Sequence, residues 1–442
     1  MRDPTVFRMA RTAIHLEKFK SSTTLPCFSD TVQYGISRMG RSYISPERYS
    51  NCPDELSTPF GVTTGRRLAV LCPKPMQNQS LTMNTSPFQH FKTRAIHSAP
   101  GILLLSLSGT AFAHVKWFYQ GERPSLSWNT FLEPLPLAFA GGALLLLLGL
   151  WVLQRARGGR GLLPDLEFFG ALPERRMGLY GFVPAILAVH LAVPLFVAGV
   201  TGHLFSPDNA LPQGWGYVIG LVQAGIALSL FYGGLTRIAA AVLAWLWLVG
   251  IALVGLEPML DNALMLGFAV FFFLAGRGPI SVDRLILPRL EPPAHWMRHA
   301  VTALRIGVGL GLISAAFTEK FANPGMAQSF LTQYPLNFTS AIGLFIPDQV
   351  FVLAAGTVEL IVGLCLLLNV FTREVIVIAW VPINLTLTIF NWTELIGHLP
   401  IYGAMAVLLI WQPGPRNLEL WVRGLREGPL AIPQVSSGAA DD

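Results

Sequence analysis

The chain has 442 residues, of which 52% are hydrophobic and only 13% charged, with a formal net charge of +6. Soluble domains carry roughly 25% charged residues, so the composition excludes an ordinary soluble protein and points to a polytopic membrane protein. The basic residues sit in short loops between apolar runs, where they set orientation, and do not gather into a nucleic-acid patch.

Three of the four cysteines (Cys27, Cys52, Cys72) lie in the polar N-terminal region and Cys365 lies alone in an apolar run. That pattern gives no disulfide framework and no structural metal site, and no phosphate-cradling glycine loop is present.

Residues 1–82 are rich in Ser, Thr and Pro and lack sustained periodicity, so little fixed structure is expected there. The expected true start is Met83 or Met76. From 83 to 113 the pattern is that of a secretory signal peptide, with the basic pair Lys92 and Arg94, the apolar core Ile102–Leu107 and the small-x-small site Ala111-Phe112-Ala113. An uncleaved short membrane anchor is the alternative. Cleavage after Ala113 leaves His114 as the N-terminus, expected to be an ordinary exposed one in preference to a copper ligand.

Residues 114–177 then comprise an exported N-terminus, a first retained helix over about 131–153, and a loop with Arg155, Arg157, Arg160, Arg175 and Arg176. Apolar runs at about 179–199, 215–234, 236–255 and 259–275 form one four-helix block within 178–287. Runs at about 300–317, 344–369, 374–391 and 395–411 form another within 300–412, followed by a tail over 413–442. Nine helices with the mature N-terminus outside place Arg237, the 277–298 loop, Arg373, Arg416, Arg423 and Arg426 on the cytoplasmic side of a bacterial inner membrane. The expected class is all-α: one leading helix and two parallel four-helix units.

The two blocks read as copies. Gly220, Gln223 and Arg237 match Gly356, Glu359 and Arg373 at one constant spacing, and a single-residue slippage sets Glu257 and Asp261 against Glu394 and His398. A parallel repeat of this kind predicts a pseudo-axis along the membrane normal.

The polar residues left inside the second block are the candidate site, because ionisable groups in lipid are costly unless they face protein or water. Glu359 lies about 13 residues below the outer end of its helix, roughly 20 Å deep, with Asn384 at comparable depth beside the kink expected at Pro382. One reading is a pocket for a proton, a quinone headgroup or a substrate. The other is a neutral Glu hydrogen-bonded to Asn384 as interhelical glue, worth about 0.6 kcal/mol.

Glu394 and His398, spaced i, i+4, share a helix face near the outer surface, level with Glu319 and Lys320. They read either as a proton path or as an interfacial pair. His190 is expected to be a packed core histidine. The loop after Lys320, with Phe321, Met326, Phe330 and Leu331 on one side, reads as a lid or as a simple connector.

Glu319-Lys320, Asn323-Pro324, Tyr334-Pro335, Gly356–Glu359, Thr372-Arg373, Glu394, Gly397-His398 and Tyr402-Gly403 together resemble the DoxX family of small four-helix membrane proteins. The likeness covers 300–412 well and 178–287 as a degenerate copy. It implies a four-helix bundle unit and association with quinone-linked respiratory or redox partners. Glu319, Glu359, Asn384, Glu394 and His398 are the expected working residues; no cofactor motif is evident, no metal is expected, and any electron carrier is borrowed, a quinone being the one the resemblance suggests. A small-solute or proton-coupled transporter and a non-catalytic scaffold for partner enzymes remain alternatives.

Overall fold

The computed structural model describes residues 115–119 and 126–428, the side chains of Thr388 and Asn391 excepted. The leader expected over 1–82, the signal segment expected over 83–113 and His114 lie outside the described residues. Among the described residues the regular structure is helical, and β pairing is limited to an isolated bridge between His203 and Ala210.

The principal helices are α1 (Pro134–Ala156), α2 (Pro173–Val200), α3 (Gln213–Tyr232), α4 (Thr236–Val254), α5 (Ala263–Ala275), α6 (Ala300–Ala315), α7 (Pro324–Gln333), α8 (Asp348–Leu368), α9 (Thr372–Ile410) and α10 (Pro415–Glu427). Proline opens α1, α2, α7 and α10, where its missing N–H costs nothing. Seven helices among the described residues are long and apolar enough to cross a membrane: α1 to α4, the run Ala294–Phe321 around α6, α8, and the arm Trp392–Ile410 of α9. The chain is thus a polytopic helical membrane protein. Helix α5 is equally apolar but shorter.

Helix α9 is 39 residues long, where the sequence predicts two separate helices at about 374–391 and 395–411. It nevertheless doubles back. Arg373 Nε donates to Leu409 O at 3.0 Å and Tyr402 OH donates to Ile383 O at 3.3 Å. A straight helix would hold Arg373 and Leu409 about 54 Å apart, so the rod reverses near Phe390. The hairpin is as expected, but the turn itself stays helical.

The helices are arranged so that α5 packs on α6 and the second arm of α9 packs on α2. Very close approaches occur at glycine pairs, which lipid-embedded helices use because small residues let backbones meet. A Cβ on Gly307 would lie 2.7 Å from Gly267 Cα, and one on Gly309 would lie 2.8 Å from Gly363 O. Helix α1 packs on α8 and leaves Leu144, Leu145 and Leu148 exposed, a stripe suited to lipid.

Helix α10 lies against α2 and buries Trp421, whose indole donates to Met297 O at 2.8 Å. Part of the tail expected over 413–442 is therefore docked.

Geometry recurs at the same spacing that relates the two blocks in sequence. Arg237 Nε donates to Phe273 O, 36 residues on, as Arg373 does to Leu409 O. The turns before the two arginines share left-handed backbone at Gly233 and Asn369, and again at Leu235 and Phe371.

Candidate functional site

Helix α6 does not stop at its last regular turn. It continues as a π-helical turn over Ala316–Phe321, a widening of the helix that recurs at functional sites. The wider turn holds the successive side chains of Thr318, Glu319 and Lys320 inside the protein, all three buried. Lys320 Nζ then lies 2.9 Å from Glu359 Oε2 on α8 and 3.2 Å from Glu319 Oε2. Gly356 makes room for this lysine, since a Cβ there would stand 3.0 Å from Lys320 Cβ.

A second lysine comes from an unexpected direction. The one-turn helix Val115–Phe118, hereafter the strap, is inserted among the bundle helices. The stretch that follows His114 is buried: Val115 is 3% and Lys116 7% exposed. Four residues cannot signal such docking by periodicity.

The Val115 amide donates to Glu319 Oε2 at 3.1 Å. Lys116 Nζ contacts Asp261 Oδ2 at 2.5 Å, Glu257 Oε1 at 2.8 Å and Thr318 Oγ1 at 2.9 Å. Ser314 completes the shell by donating to Asp261 Oδ1 at 2.6 Å. Burial alone pulls the Lys116 ammonium down, but the charges of Asp261 and Glu319 and the hydrogen bonds to Asp261 and Glu257 outweigh it, leaving its pKa above the ordinary lysine value.

Trp117 and Phe118 anchor the strap on the other side. Trp117 faces the ring of His398 with centroids 5.4 Å apart and lies directly on Gly397, where any Cβ would collide with the indole. Phe118 stacks on Phe390 at 4.4 Å, at the turn of α9. His398 Nδ1 is 3.3 Å from Glu394 Oε1, and both side chains are fully buried. They therefore lie inside the bundle and not on its surface. Helix α7 folds over the strap and buries Met326, Phe330 and Leu331 beside Val115 and Phe390, with Phe321 buried in the adjoining core.

Between these groups is a cleft of about 60 Å³, whose lining includes Lys116, Trp117, Asp261, Glu319 and His398. Four of the five expected residues (Glu319, Glu359, Glu394 and His398) are thus gathered around the strap and the π turn. Asn384 is not among them. Its side chain donates to Trp380 O of its own helix at 2.7 Å, while Glu359 has Lys320 as an ion-pair partner. Glu359 lies about three turns into α8, about 16 Å from its start. His190 is hydrogen-bonded as expected, with Nδ1 2.8 Å from Ile186 O, and its Cβ faces Gly403, but it is only half-buried and is not a core histidine.

The residues missed from sequence are Lys116, Trp117, Glu257, Asp261 and Lys320. The repeat alignment that sets Glu257 and Asp261 against Glu394 and His398 was a signal for two of them. Asp261 and His398 line the same cleft.

The position matching Glu359 carries Gln223, fully buried, which accepts from the Phe205 amide at 3.0 Å and donates to His203 O at 2.8 Å. That side chain ties down a loop and holds no charge. Among the described residues no group of three or more His, Cys, Asp or Glu is placed to hold a metal ion. No protein-family model matches the chain, and no curated protein or solved structure matches it.

Proposed function

We propose that this chain is a tandem DoxX-like inner-membrane protein that exchanges protons between a mid-depth carboxylate and the exported face, in support of a quinone-linked redox partner. The observation that carries the reading is a close set of buried ionisable groups: Lys320 bridges Glu359 and Glu319, Lys116 bridges Asp261 and the part-exposed Glu257, and the Val115 amide beside Lys116 holds Glu319. Ionisable groups inside a membrane protein are costly and mark proton or ion pathways. The cleft between Glu319, Asp261 and His398 has room for about two waters, enough to pass a proton.

The repeat reading is supported by the matched arginine contacts and by the matched turns before them. On that reading two parallel four-helix units follow a leading helix, with nine spans in all. The arginine-rich loops then face the cytoplasm and the strap faces outward.

This cleft is smaller than the roughly 150 Å³ cavity that accepts a benzene ring, so we place the quinone on the partner and not in it. A small-solute transporter would use the larger recess of about 580 Å³ lined by Thr201, His203, Gln213 and Tyr217, which shares no lining residue with this cleft. A scaffold reading is favoured by one observation, the saturation of Lys116 by acceptors.

Membrane vesicles carrying the protein and its redox partner separate these readings through quinone-linked proton release. Proton exchange predicts a lower rate for Glu359→Gln and an unchanged rate for Asn384→Leu. Equal rates in wild type and Glu359→Gln would favour the scaffold.

A further inference from the structure

The strap is bound the way a ligand is bound. It is a single helical turn, so it has almost no structure of its own to hold it in place, and its position rests on side-chain contacts with residues far away in the chain. Two pockets receive it. One is an ammonium pocket of Asp261, Glu257 and Thr318. The other is an aromatic slot floored by Gly397 and walled by His398. The same repeat alignment relates Asp261 to His398 and Glu257 to Glu394, so the two pockets are corresponding places in the two helix units. Lys116 fills one and Trp117 the other.

We propose that this cleft is a receptor site for a primary ammonium next to an aromatic ring, as in a lysine–tryptophan peptide, and that the strap is its exchangeable resident. While the strap is in place, the Lys116 stem and the Trp117 ring cover Asp261, Glu319 and His398 from the strap side. Its departure uncovers these groups, and an added ligand of the same chemistry competes for the vacated pockets. Opening the ionisable series in this way rests on the proton-exchange reading. Occupancy of the receptor does not, so the two fail separately.

The direct test uses the full chain in nanodiscs and a fluorescent peptide of sequence VKWFYQ. The double variant Lys116→Ala/Trp117→Ala is expected to bind the peptide saturably, and wild type to bind it much less. Adding Gly397→Ala to the double variant is expected to weaken binding about tenfold or more, since the new methyl occupies the indole's place. No saturable binding to the double variant, or binding indifferent to Gly397→Ala, would overturn the proposal. Hydrogen exchange on wild type keeps the question open to refutation if the double variant misfolds. The Val115 amide, held by Glu319, is expected to exchange faster than α8 amides, as a locally opening segment does. Exchange of that amide only with global unfolding would show a fixed element and contradict an exchangeable resident.

Discussion

Lys320 and Glu359 form an ion pair at 2.9 Å, with both side chains at most 3% exposed. The pair joins the π turn after α6 to the body of α8. Charges this far from solvent are tolerated because they are matched, and removing one partner leaves the other stranded. Lys320→Met is therefore expected to destabilise the protein by about 3–5 kcal/mol, read as a fall in thermal unfolding midpoint in detergent. Replacing Glu359 by methionine as well should recover only part of that loss, because the buried Glu319 still lacks its lysine.

Gln223 and Glu359 occupy matching positions but answer different needs. The amide of Gln223 both accepts and donates, and a carboxylate cannot do the second while ionised. Gln223→Glu should set an acceptor against His203 O and cost about 1–3 kcal/mol or more. Glu359→Gln should lose an ion pair yet keep hydrogen-bonding capacity. Unfolding midpoints of the two exchanges compare them directly.

Arg237 and Arg373 make a further matched pair. Each guanidinium reaches a carbonyl 36 residues on and ties two helices at one end of the bundle. Charged hydrogen bonds are worth about 1.5–3 kcal/mol, so Arg237→Ala and Arg373→Ala should each destabilise by that order. A large loss for one and none for the other would weaken the repeat reading.

The strap has a defined pH behaviour. The folded pKa of Lys116 is raised above its ordinary value of 10.5, so its stabilising charge is fully present below that unfolded value. It is lost only as pH rises through the still higher folded one. Protection of the Val115 amide, corrected for the intrinsic pH dependence of exchange, should not fall through lysine deprotonation between about pH 7 and pH 10. A loss through Lys116 within that window would contradict the raised pKa.

Much of this arrangement was legible in the sequence, for identifiable reasons. Apolar length gives the membrane helices, and an ionisable side chain in such a run must be sheltered, which located Glu359, Glu394 and His398. The pairing of Glu359 was not legible. Glu319 and Lys320 are neighbours in sequence, about 100° apart on a regular α-helix, and which of them faces Glu359 depends on the π turn that carries both. Asn384 misled because depth along a helix says nothing about direction around it, and its amide turns back on Trp380. Lys116 was invisible because its segment is too short to carry periodicity and its partners lie 141 and 145 residues away.

The central claim is that the buried series from Glu359 to Glu257 carries protons between mid-depth and the exported face, and quinone-linked proton release tests it most directly. Vesicles holding the protein together with its redox partner are given a pulse of quinol, and acidification on the exported side is followed with a pH-sensitive dye. Wild type is expected to release protons faster than Glu359→Gln. Equal rates in wild type and Glu359→Gln would contradict the account.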